Sequence, residues 1–204
     1  MNMQINDGTG TGAAAKVAGS GRLAVDADDG CLAAAKAGDV YVLTNQSAHP
    51  TVTSTANGGV LAVLTNDASS KKSFVIDSIT VASSTVALSV SVETNYTIGT
   101  PGNIEGSGPA EIVCTNTAFP TGSPATATGY VWDEGGDGIT NVTAGTGILR
   151  TILAAGGPTE LVPSGRIIVA PGGSIGISQD PPGSDTPELS FAIRFYEIDE
   201  ATGY

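Results

Sequence analysis

The chain predicts an all-β protein, an antiparallel jelly-roll β-sandwich with an extended N-terminal arm, and three observations carry that expectation. Gly (28 of 204 residues), Thr, Ser and Ala are abundant while Leu, Glu and Lys are scarce. Long helices want the second group, and turn-rich sheets tolerate the first. Short apolar runs recur with period-two alternation and are punctuated by Pro and Gly, the pattern of half-buried strands joined by turns. No helical stretch is long enough for βαβ crossovers, so a parallel α/β sheet is not expected.

Residues 1–38 are assigned to the arm and residues 39–204 to the sandwich. Residues 1–30 are nearly all Gly, Ala, Thr, Asp and Ser, with one short apolar run at Arg22-Leu23-Ala24-Val25. So little apolar surface cannot fold alone and is expected to become ordered against a neighbour. Residues 32–36 are Ala-rich and fit one helical turn, which Gly38 ends.

From Asp39 onward the signal is strand and turn. Val40-Tyr41-Val42-Leu43-Thr44 is a β-rich run, and Asn57-Gly58-Gly59 supplies turn chemistry before a strand at 60–65. Phe74-Val75-Ile76 and Ile79-Thr80-Val81 are strand-like, but their alternation changes phase at Asp77-Ser78, which predicts a bulge. Over residues 86–93, Val86, Leu88, Val90 and Val92 take one face and Ala87, Ser89, Ser91 and Glu93 the other. Leu189, Phe191, Ile193 and Phe195 repeat the pattern, with Ser190, Ala192, Arg194 and Tyr196 opposite. Further strands are expected at Ile112-Val113-Cys114, 128–132, 148–153, Ile167-Ile168-Val169 and 174–178, roughly nine or ten in all, a count that two packed antiparallel sheets accommodate. Residues 97–110 and 121–127 are rich in Gly, Pro and Ser and are expected as surface loops.

The formal net charge is −12, with only eight Lys and Arg spread along the chain. Such a chain cannot neutralise a phosphate track, and an anionic membrane surface repels it, so neither nucleic acid nor membrane is an expected partner. The N-terminus carries no apolar signal-peptide core, and no stretch approaches the ~20 apolar residues of a membrane-spanning helix. Cys31 and Cys114 match no metal-ligand spacing and are expected as two reduced thiols.

The catalytic inventory is thin. His49 is the single histidine and precedes Pro50 in a polar loop; any Ser-His-Asp or Cys-His arrangement would need it, and it reads as a solvated side chain. Gly8-Thr9-Gly10-Thr11-Gly12-Ala13 has the glycine spacing of a dinucleotide fingerprint but lacks the preceding buried strand that the motif needs. The acidic, Gly-containing stretches at 26–30 and 133–138 offer oxygen ligands of the kind calcium takes, yet read as solvated turns. Tyr130 and Trp132, on one face of one strand, read as core rather than as a carbohydrate platform. No catalytic residue, cofactor site or metal site is expected.

The opening of the chain, Asp7-Gly8-Thr9-Gly10-Thr11-Gly12, then Ala15-Lys16-Val17, then Arg22-Leu23-Ala24-Val25, resembles the start of a group of jelly-roll virion structural proteins of tailed bacteriophages, of the head decoration type. The later order is similar too, with Gly38-Asp39-Val40-Tyr41 leading a strand and Pro171-Gly172-Gly173-Ser174-Ile175 turning into the closing strands. The resemblance implies a virion structural protein without enzymatic activity. Its expected role is a capsid decoration (cement) subunit that stabilises the head exterior, in virions assembled in the host cytoplasm. The implied partners are copies of itself, as a homotrimer, and other virion proteins such as the major capsid protein. On the residues themselves, Lys16, Val17, Arg22, Leu23 and Val25 are the arm's expected contacts with a neighbouring subunit. The alternative is a tail, baseplate or fibre-associated subunit that binds host glycans through loops near Trp132. A third reading, a lectin-like or polysaccharide-degrading protein, rests on the acidic loops alone.

Overall fold

The structure is a computed structural model that describes residues 34–35, 37–44, 59–84, 87–98, 110–117, 125–131, 142–143, 145–163, 167–179 and 188–199. It begins with a single helical turn at Ala34, Ala35 and Ala37. Asp39 N–H donates to the Ala34 carbonyl (2.9 Å) and Gly38 N–H to that of Ala35 (3.1 Å), with Gly38 at φ 84°. That pair of bonds around a left-handed residue is a Schellman stop, and glycine adopts the required φ without a Cβ penalty.

Strands make up most of the rest. The principal ones are β1 (Val40–Thr44), β2 (Gly59–Asn66), β3 (Lys72–Ser83) and β4 (Leu88–Thr94). Short strands β5 (Thr97–Ile98), β6 (Ala110–Val113), β7 (Thr115–Asn116), β8 (Ala127–Val131) and β9 (Val142–Thr143) follow. The chain continues through β10 (Thr146–Leu153), β11 (Pro158–Leu161), β12 (Ile168–Val169), β13 (Ser174–Gln179) and β14 (Leu189–Asp199). One sheet runs β11-β3-β14-β1-β7, with β12 also on β3; the other runs β10-β4-β13-β2-β8-β6; β5 and β9 form a separate ladder. All named pairings are antiparallel.

The pairings are nested. β1 pairs with β14, β2 with β13, β3 with β11 and β12, and β4 with β10. The early strands therefore meet the late ones in reverse order, as in one long double ribbon. Cross-pairs β3–β14 and β4–β13 then join alternate sections of that ribbon into the two sheets. A single apolar core lies between them, with Tyr41, Phe74, Phe191 and Phe195 from one sheet and Leu61, Val90, Val92 and Ile177 from the other. Tyr41 and Phe74 flank Phe195 at ring-centroid distances of 5.5 Å and 5.2 Å.

The alternation at Leu88, Val90, Val92 and at Leu189, Phe191, Ile193, Phe195 is buried as its period requires. The bulge expected at Asp77-Ser78 is there. Opposite β14, Arg194 aligns with Ser78 and Phe195 with Ile76, so Asp77 is the extra residue. Asp77 Oδ2 accepts from Arg194 Nε at 2.5 Å, which fits the way bulges re-aim a side chain.

Two loop assignments need correction. Within 97–110, Thr97 and Ile98 form β5 and Ala110 opens β6. Within 121–127, Ala125 packs against the core and Ala127 is buried at the start of β8. Pairing of these ends depends on strands distant in sequence, which composition alone does not reveal.

One lateral side of the sandwich is shut by the chain itself. β6 is the outermost strand of one sheet and β7 of the other, and only Cys114 separates them in sequence. The other side, between β10 and β11–β12, is bridged at one end by residues 154–157. Toward the opposite end, exposed Ile148, Leu149, Val162 and Ile168 line the two edges among the described residues. Asn66 fastens the turn after β2 to the turn before β13: its Nδ2 donates to the carbonyls of Lys72 (2.7 Å) and Val169 (2.9 Å), and its Oδ1 accepts from Ser70 Oγ (2.6 Å).

Candidate assembly surface and buried polar clusters

The arm residues singled out as subunit contacts (Lys16, Val17, Arg22, Leu23 and Val25) lie outside the described residues. So do His49, Cys31, Trp132, the glycine run at 8–13 and the acidic stretches at 26–30 and 133–138. Tyr130 is described, and its core assignment does not hold. Ala127 and Gly129 of β8 face inward, where a Cβ on Gly129 would run into the Leu43 side chain. Tyr130 therefore points to the outer face, half-buried and in register with Val63.

The described surface has one concentration of apolar side chains. Ile148, Leu149 and Ile152 project from β10, Val162 follows β11 and Ile168 lies in β12; all five are exposed, Ile152 by 73%. Ile148, Leu149, Val162 and Ile168 line the gap between β10 and β11–β12, whereas Ile152 stands on the outer face of β10, in register with Ser89. A groove of about 810 Å³ runs between Ile148, Leu149, Val162, Pro163, Ile167 and Ile168. A narrower recess of about 300 Å³ continues from it to Ile79 and Val92 at the edge of the core. β10 ends its sheet, so the edge backbone of an eight-residue strand accompanies the groove, the kind of edge that another chain can pair with. The facing edge is broken: β11 and β12 both pair with β3, and Val162 and Pro163 fall in the gap. Proline has no N–H to offer a ladder, which suits an interruption there. Among the described residues that line groove and recess, Glu160 is the one that carries a charge, and it stands at the recess.

Two buried polar clusters were not anticipated from the sequence. Glu197 continues the inward stripe of β14 beyond Phe195 and is fully covered. Its Oε2 accepts from Lys72 Nζ at 2.8 Å, and its Oε1 accepts from Thr126 N (2.6 Å) and Thr126 Oγ1 (2.8 Å). One carboxylate thus ties β3 and β14 to the segment entering β8 in the other sheet, and its hydrogen bonds offset the cost of burying a charge. The hydrogen bond to Glu197 raises the Lys72 ammonium above its ordinary range. The second cluster lies on the outer face, where Tyr96 follows β4 and folds back over β13. Its phenol and Ser178 Oγ are 2.8 Å apart, Ser178 Oγ also donates to Glu93 Oε2 (3.2 Å), and Tyr96 N–H donates to Ser174 Oγ (2.8 Å). Burial raises the Tyr96 phenol well above its ordinary range.

Cys114 is a free, buried thiol at the crossover from β6 to β7. Burial, and then the charge of Glu197, push it up to about 12. A nucleophilic cysteine needs the opposite shift, because the thiolate is the reactive form. Tyr41 is raised by the same two causes in the same order. Among the described residues no group of three or more His, Cys, Asp or Glu is placed to hold a metal ion.

These shifts share a sign. A thiol, phenol or ammonium whose pKa is higher in the folded chain holds more protons there than in the unfolded chain, so stability is complete below the unfolded value and falls as pH rises above it. Cys114 makes that window begin near its ordinary value of 9.0 and extend to about 12. The urea midpoint is expected to stay level from neutral pH to about pH 9 and then decline. In Cys114→Ala the decline should start later, near pH 10, where the tyrosines and Lys72 take over. A midpoint that stays level through pH 11, or a decline identical in both proteins, would contradict this assignment.

No protein-family model, curated protein or solved structure matches the chain.

Proposed function

We propose that the protein is a non-enzymatic structural subunit of a tailed-phage particle, a decoration (cement) protein on the head exterior. The nested strand order carries this reading. A double ribbon in which first pairs with last, folded so that alternate sections fall in opposite sheets, follows the connectivity of a jelly roll, an architecture that recurs in viral capsid and lectin domains. Two further features support it. The resemblance over residues 7–25 is to phage virion proteins. The net charge of −12 keeps a protein soluble at high copy number before assembly. The apolar open side, with its edge strand, is the part of the described surface best suited to contact another subunit.

Quantitative mass spectrometry of purified particles tests the reading. Copies in the hundreds, in fixed proportion to the shell protein, are expected of a head decoration. A handful per particle would move the protein to the tail, and its absence from particles would end the proposal.

A further inference from the structure

We draw no further inference here: the strongest candidate, the apolar groove between β10 and β11–β12 lined by Ile148, Leu149, Val162 and Ile168, carries nothing further because nothing in the structure shows what covers it.

Discussion

Gly176→Val is expected to destabilise the fold by at least about 3 kcal/mol, and to leave little native protein at 37 °C. Gly176 sits in β13, buried in the middle of its sheet. A Cβ there would overlap the Ala62 carbonyl oxygen in β2 and come within 2.9 Å of the Tyr96 ring. A side-chain tip could swing aside, but the Ala62 carbonyl is backbone of the paired strand. Moving it disturbs the β2–β13 ladder at Val63, the residue in register with Gly176. On the outer face the new methyls would also lift Tyr96 away from Ser178 and expose the face that the ring covers. Urea denaturation should show the lower midpoint, and Gly176→Ala should show the same effect in smaller measure. A Val variant as stable as wild type would mean that β2 and β13 do not pair in this register.

Phe195→Ala is the second large effect, about 3–5 kcal/mol. Phe195 is fully buried between Tyr41 and Phe74. Its neighbours come from β1 and β3, on either side of β14, so they cannot collapse into the space without shifting two ladders. For a chain of this size the melting temperature should fall by roughly 10 °C. Phe195→Leu, which refills part of the volume, should recover much of the loss. A fall of only a degree or two for the alanine variant would show that the aromatic cluster does not anchor the core.

The strands that could be read from the sequence were those whose alternation reports burial on one face. β4 and β14 needed nothing else, and the break in phase at Asp77-Ser78 marked the bulge because one extra residue inverts every side chain after it. Gly38 was legible as a helix stop for the same local reason. β11 was not. Pro158-Thr159-Glu160-Leu161 begins with a residue that central strands avoid and holds one large aliphatic side chain, and it becomes a strand only because β3 offers it an edge. The ladders β5–β9 and β1–β7 are two residues deep, too short to leave a periodic trace.

Ile148, Leu149 and Ile152 marked a strand, which is there as β10, but not its exposure. The run lies on an edge strand, and burial depends on which strand lies next to it, information that local sequence does not carry. Glu197 did leave a signal: it falls two residues beyond Phe195, in phase with the apolar stripe, and an acid in that phase points to a buried, partnered carboxylate. The nested pairing itself joins strands separated by most of the chain, and no local pattern specifies it.

A cryo-electron microscopy map of intact particles that carry this protein is the most direct measurement of where it works. The expected result is a two-layered β density repeated over the outer surface of the head. A head surface bare of such density, in particles that nevertheless contain the protein, would contradict the assignment to the shell.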